Sequence, residues 1–319
     1  MSHDGPGLLL ADLVDEDPDP DIAATLDVIV AANADILLIL GIDYDAEGHA
    51  LAALTNALAA REISYPHLFS RRPNTGRPTG VDVDGNGRLG EPRDAQGYGR
   101  FNGQGGMALL SRLPIETDQI RDFTDFLWAD LPESAAPRVL SPDAAQVLRL
   151  ATVAAWDIPL RRTTGATFHI LAFHASPPVF DGPEDRNGWR NADELRFWQL
   201  YLDGWSPNGP AFTAENFALM GTLNVDPDRG EGHREVVQTL LDHPALQDPA
   251  PRAPDGRLVT TDWDEPTPGN LRVDYILPAA TLNVTDSGIL WPDSETATPP
   301  RSAVAAASDH RLIWVDLEF

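Results

Sequence analysis

Four short segments carry residue types suited to proton transfer or ligand binding, and each borders an apolar run. His174 follows the run 168–173. Asn224 lies in Gly221-Thr222-Leu223-Asn224-Val225-Asp226-Pro227, just after 217–220. Asp274 sits inside the run 273–277, and Ser308-Asp309-His310-Arg311 precedes the last apolar run. Strand ends are where the loops of α/β proteins carry their sites. Taken singly, His174 reads more readily as a hydrogen-bonded loop histidine, and Asn224 has an alternative as a turn residue ahead of a proline. Asp274 differs, because a carboxylate inside an apolar strand is costly unless it has a partner. His310 is the economical partner: the carboxylate would fix the imidazole tautomer and raise its basicity, so that His310 takes a proton from water.

Two further clusters stand in loops. Asp82-Val83-Asp84-Gly85-Asn86-Gly87-Arg88-Leu89 matches a calcium loop at its first, third and fifth positions, with glycine at the sixth and an apolar residue at the eighth. Asp82, Asp84, Asn86 and, through its backbone, Arg88 are the expected ligands of a structural Ca2+ in the 82–94 loop. The twelfth position is Arg93 instead of a bidentate Glu, so the remaining ligand must come from Glu91, Asp94 or elsewhere. Arg186, Asn187, Arg190 and Asn191 form a polar cluster after His174. They would either grip a substrate phosphate or sugar, or pair with Asp181, Glu184, Asp185 and Asp193 at a helix start.

The elements that position these residues follow from periodicity. Residues 21–33 place Ile22, Leu26, Ile29 and Val30 on one helical face, and 36–40 is a continuous apolar run of strand length. A helix is expected over 46–60, and then a long Gly-, Asp- and Pro-rich loop over 71–105, a length that points to function or metal stapling. Buried strands are expected at 106–111, 168–173 and 217–221, a helix at 191–205 with Leu195, Trp198 and Leu202 inward, and final strands at 273–277 and 311–317. Strands and helices mix throughout without a repeat or a linker-like break, which favours one α/β domain over 1–319.

Composition limits the partners. The 319 residues carry a formal charge of −26, and all 23 basic residues are Arg. Such a surface repels phosphate backbones and anionic membranes, so binding to nucleic acid is disfavoured and a membrane partner is not expected. The absence of cysteine excludes disulfides, thiolate zinc sites and cysteine nucleophiles. No apolar run approaches the roughly 20 residues of a membrane span. An acidic, Lys-free, Cys-free chain suits an exported or salt-adapted bacterial protein, so a periplasmic or secreted location is expected, and otherwise a cytoplasmic one.

The order of these motifs resembles the endonuclease/exonuclease/phosphatase superfamily, which includes DNase I-like nucleases, sphingomyelinases and inositol phosphatases. The resemblance runs from Gly5 to the end. It is carried by Asn33-Ala34-Asp35-Ile36-Leu37-Leu38, Gly106-Met107-Ala108-Leu109-Leu110-Ser111-Arg112, Phe173-His174, Gly221-Thr222-Leu223-Asn224, Val273-Asp274-Tyr275-Ile276-Leu277 and Ser308-Asp309-His310. Within it, Asp181-Gly182-Pro183-Glu184-Asp185-Arg186-Asn187-Gly188 and the loops near 82–106 look like a bacterial, often exported branch. The resemblance implies a two-sheet α/β sandwich, mixed sheets face to face with helices outside. It also implies that His174 holds or protonates a phosphoryl oxygen, that Asn224 orients the phosphate or nucleophile, that Asp274 and His310 form the base dyad, and that Asp309 binds Mg2+ or Mn2+.

Three departures stand against the pattern. The usual metal-binding Glu aligns with Gly41, leaving Asp43 or Asp45 to reach the cation. The usual Asp two residues before the Asn is Thr222. The usual first strand, ending in an Asn at the site, is not found. The expected function is divalent-metal-dependent hydrolysis of a small or extracellular phosphoester. The rival expectations are a nuclease of extracellular DNA and a catalytically degenerate binding protein on the same fold.

Overall fold

A computed structural model describes residues 1–15 and 18–318. Its elements in chain order are α1 (Leu8–Val14), α2 (Pro20–Ala32), β1 (Ile36–Ile42), α3 (His49–Ala59), β2 (His67–Phe69), β3 (Gly106–Ser111), β4 (Arg121–Asp122), α4 (Ala136–Val139), α5 (Pro142–Ala145), β5 (Ala155–Arg161), β6 (Thr167–His174), α6 (Arg186–Leu202), β7 (Phe217–Thr222), α7 (Arg234–Leu241), β8 (Asp274–Pro278), β9 (Asn283–Ile289), α8 (Arg301–Ala307) and β10 (Ile313–Glu318). One sheet has the order β1-β3-β2, a second β4-β5-β6-β7-β8, and β9 pairs with β10. All pairings are antiparallel except β6 with β7. The connection between those two parallel strands passes through α6, as a parallel crossover requires.

Period-2 alternation sorts the strand residues into layers. Met107 and Leu109 of β3 meet Trp156, Ile158 and Leu160 of β5, Phe168, Ile170 and Ala172 of β6 and Ala218 of β7 in a core between the two sheets. The opposite face of β3, Ala108 and Leu110, packs on Leu26 and Ile29 of α2 and on Leu54 and Leu58 of α3. The opposite face of the five-stranded sheet, with Leu171, Phe173, Leu219, Tyr275 and Leu277, packs on Leu195, Trp198 and Tyr201 of α6 and on Val237 and Leu240 of α7. The layers are therefore helix, sheet, sheet, helix, the sandwich that the resemblance implied.

Several expectations need correction. The 36–40 run is a strand, but β1 is only half-buried over most of its length because it forms the edge of its sheet. The helix expected over 46–60 begins at His49, since Asp45 turns the chain by accepting the amides of Glu47, His49 and Ala50. The helix expected over 191–205 spans Arg186–Leu202, so the Arg186-to-Asn191 cluster belongs to its first turns. Strand β5 was not anticipated, although Trp156, Ile158 and Leu160 alternate inward around Pro159. The polar β9 separates the two strands expected to close the chain. Among the described residues no helix is long and apolar enough to cross a membrane.

Candidate functional site

The site begins with register. His174, the last residue of β6, pairs with Thr222 of β7, and Thr222 pairs with Asp274, the first residue of β8. These three residues lie in one row across adjacent strand ends. They continue the alternation that sends Ala172, Met220 and Ile276 toward the core between the sheets. The segment before β10 brings His310 to this row. Its Nδ1 lies 2.9 and 3.1 Å from the two Asp274 oxygens. An ionised carboxylate only accepts, so Nδ1–H donates and Nε2 carries the lone pair. The Thr260 hydroxyl donates to Asp274 Oδ2 at 2.8 Å and accepts from the amides of Val273 and Asp274. Sequence reading did not find Thr260, which lies outside any regular pattern. The ring of Trp263 stands edge-on to His310, with centroids 5.4 Å apart.

Electrostatics separate the two histidines. Burial disfavours a charge on His310, but the Asp274 carboxylate bonded to it, with Asp309 nearby, holds the imidazole above its ordinary pKa. Burial pushes His174 down to about 4, and the neighbouring His310 adds to this while Asp274 opposes it. One imidazole is thus basic and the other neutral at ordinary pH, which separates a proton acceptor from a neutral hydrogen-bond donor. Asn224 follows Leu223 with φ of +56°, a left-handed conformation that Asn tolerates better than most residues. Its Nδ2 donates to Ala175 O at 2.7 Å, tying it to the residue after His174.

The acidic residues separate differently. Asp309 is exposed and adjoins His310. Asp43 is buried, with Oδ1 accepting from the Gly105 amide and Oδ2 from the His3 amide, each at 2.8 Å. Burial raises the pKa of Asp45, but backbone amides led by Ala50 and His49 outweigh it, so this carboxylate acts as the cap of α3. Gly41 has φ of +72° at a bulge between Leu40 and Ile42, where an added Cβ would meet nothing within 4 Å. Space for a side chain exists there, but the backbone favours glycine. Thr222 is 1% exposed, and its hydroxyl donates to Val273 O. Gly and Thr thus stand at the two positions where the resemblance expects carboxylates, and Asp43 and Asp45 are held by backbone amides. The donors present do not fit a divalent cation in the expected family manner.

Asp82, Asp84 and Asp94 are the group of three acidic or histidine side chains among the described residues whose ligand atoms converge within 4.8 Å. Asp94 therefore takes the place that Arg93 leaves in the calcium-loop pattern, one residue later. Asn86 turns its Nδ2 toward Asp84 and Glu91, and its Oδ1 accepts the Arg88 amide. At half-buried Asp82 the Gly87 amide lowers the carboxyl pKa, burial opposes it, and the amides of Gly85 and Asn86 add to the lowering. These oxygen donors fit a hard cation such as calcium.

The cluster at the start of α6 faces inward. Arg190 is 7% exposed, and its guanidinium donates to the carbonyls of Leu150, Gln96, Arg149 and Ala151. Asn191 is fully buried between Ser176 O and Leu223 O, each at 2.7 Å. Asn187 donates to Val179 O, and Arg186 reaches Val83 O at 3.2 Å, joining α6 to the 82–94 loop. Arg190 and Asn191 thus follow neither reading as stated: their donors bond backbone carbonyls instead of a substrate or the acids at the helix start. Glu194 was missed, although its spacing four residues before the inward Trp198 marks it as inward-facing.

The chain matches the sequence profile of the Endonuclease/Exonuclease/phosphatase family over residues 14–310. No curated protein matches it significantly by sequence. Among solved structures it is similar to an endonuclease/exonuclease/phosphatase from Beutenbergia cavernae, with TM-score 0.58 and 18% identity, covering 97% of this chain and 69% of that one. A family protein from Leptotrichia buccalis gives TM-score 0.53 and 17% identity over 96% of both chains. The beta toxin of Staphylococcus aureus gives 0.50 and 13%, covering 98% of this chain and 95% of that one. At these identities the likeness concerns the fold, and it agrees with the DNase I-like sandwich described above. The profile spans most of the sequence, and the chain belongs to the endonuclease/exonuclease/phosphatase family, whose kind of chemistry is phosphoester hydrolysis.

Proposed function

We propose that the site at the β6–β7–β8 strand ends hydrolyses a small phosphoester, with the Asp274–His310 dyad as the proton acceptor. The observation that carries this reading is the dyad itself: Nδ1 is bonded to both oxygens of a carboxylate, which is in turn held by Thr260. His310 Nε2 takes a proton from water, and Asp274 stabilises the imidazolium that forms. Neutral His174 donates a ring N–H to a phosphoryl oxygen. The Nδ2 proton of Asn224 not used by Ala175 binds another phosphoryl oxygen. Exposed Asp309 and the side-chain oxygen of Asn224 are the oxygen donors left for a Mg2+ or Mn2+, and comparing rates with either ion and with chelator tests whether one is held there.

The charge of −26 favours a small substrate over a polyanion. A calcium ion in the 82–94 loop is the companion proposal, with Arg186 linking that loop to α6. An exported location rests on composition and on the resemblance to an often exported branch. A binding role without turnover is the second reading, supported by Gly41 and Thr222 at the positions expected to be acidic.

The test is hydrolysis of bis-p-nitrophenyl phosphate and p-nitrophenyl phosphate with Mg2+, Mn2+, Ca2+ or chelator. Turnover that is lost in His310→Ala supports the hydrolase. An inert chain that still binds inorganic phosphate supports the second reading.

A further inference from the structure

His174 is central to the proposed site, yet its buried Nδ1 has no hydrogen-bond partner. An imidazole without a polar partner is located by its backbone and its packing, so whatever holds that backbone sets its position. Ser176, two residues on, is held through both its amide and its carbonyl by one helix. Its amide donates to Glu194 Oε2 at 2.6 Å, and its carbonyl accepts from Asn191 Nδ2 at 2.7 Å. The same Asn191 amide group donates to Leu223 O, one residue before Asn224. The other oxygen of Glu194 accepts the Thr152 amide at 2.6 Å. Glu194 and His174 also line one cavity of about 20 Å³ together with Phe173, Phe197 and Trp198. Arg190, one turn back, places its charge beside Glu194 while binding four carbonyls of the 96 and 149–151 segments.

Resting on the phosphoester-hydrolase reading, we infer that Asn191 and Glu194 of α6 are positioning residues that fix His174 and Asn224 relative to each other. Neither touches the reacting atoms. Asn191 spans the two loops with one amide, and its replacement releases both at once. Glu194 fixes the loop after His174 to the 152 segment. The dyad lies outside this bracket, because Asp274 and His310 are held by Thr260 and by the Thr261–His310 bridge.

The experiment compares Asn191→Asp, which cannot donate to the two carbonyls, and Glu194→Gln, which keeps shape and loses charge. Tyr201→Phe is the control: it removes a different buried hydrogen bond of the same helix. The full chain, labelled with 15N at histidine, is followed by imidazole NMR and by steady-state hydrolysis of bis-p-nitrophenyl phosphate. The expected result is a shift of the His174 resonances with the His310 titration unchanged. kcat should fall by roughly 10- to 100-fold, as for residues that orient functional ligands, while KM changes little. Tyr201→Phe should leave both imidazoles in place. Unchanged His174 resonances in folded Asn191→Asp or Glu194→Gln would overturn the inference, as would His310 moving with His174. If the natural chain shows no turnover, the hydrolase reading fails, and the imidazole spectra still decide the positioning role. Glu194→Gln decides it where Asn191→Asp does not fold.

Discussion

Thr222→Asp places a carboxylate at a 1% exposed position, directly paired with Asp274 on one side and His174 on the other. Directly opposed residues on neighbouring antiparallel strands have Cβ atoms about 5 Å apart. At an effective dielectric of about 20, two like charges at about 5 Å repel by roughly 3 kcal/mol. The lost donation from the Thr222 hydroxyl to Val273 O adds to the cost, while a protonated His310 offsets part of it. In chelator, the variant should therefore unfold about 3 kcal/mol more easily than the natural chain, with a Tm lower by roughly 5 °C or more. A divalent cation binding between residue 222, Asp274 and Asp309 would remove the repulsion, so millimolar Mn2+ should restore most of the loss and raise hydrolysis of bis-p-nitrophenyl phosphate. The assay is thermal unfolding with and without chelator, paired with initial rates at matched ion concentrations. A variant as stable as the natural chain in chelator would falsify the placement of residue 222 against Asp274. A variant destabilised to the same extent with and without Mn2+ would show that one added carboxylate does not assemble a cation site beside Gly41.

Three further outcomes follow from the geometry. His310 is held above its ordinary pKa by Asp274 despite burial, so a rate that needs it neutral should rise with pH through a limb above 6.5. Asp274→Asn should move that limb down and lower the plateau, as read from the pH–rate profile. His174 has the opposite sign. Its folded pKa of about 4 lies below the unfolded value, so the unfolded chain binds the extra proton and stability falls as pH drops from 6.5 toward 4. The fall is up to about 3 kcal/mol, and His174→Gln should flatten that part of a urea-unfolding pH series. Arg190→Met leaves four carbonyls without their donor and Glu194 without its counter-charge. It should destabilise by about 3–5 kcal/mol in urea unfolding, and an unchanged midpoint would show that the bracket is not needed for stability.

Much of this protein was determined by sequence, because local periodicity and residue type report on it. The 168–173 and 217–221 runs became β6 and β7 within one residue at each end, since both are central strands buried on two faces. Asp274 was readable as a paired carboxylate because an apolar strand does not hold a lone charge, and His310 proved to be its partner. The family resemblance lay in the order of short motifs along the chain, and the family profile matches over residues 14–310.

Other features depended on contacts between residues far apart in sequence. Asp43 and Asp45 looked like free ligands, but the amides of His3, Gly105 and the first turn of α3 hold them. Whether a carboxylate is free is decided by neighbours that spacing does not name. Arg190 and Asn191 have the residue types of a phosphate grip, and Glu194 beside them went unread. Their helix turns them inward, where unpaired backbone groups of three loops supply the acceptors and donors. Composition gives the charges of this chain, and tertiary packing decides which of them face solvent and which serve the backbone.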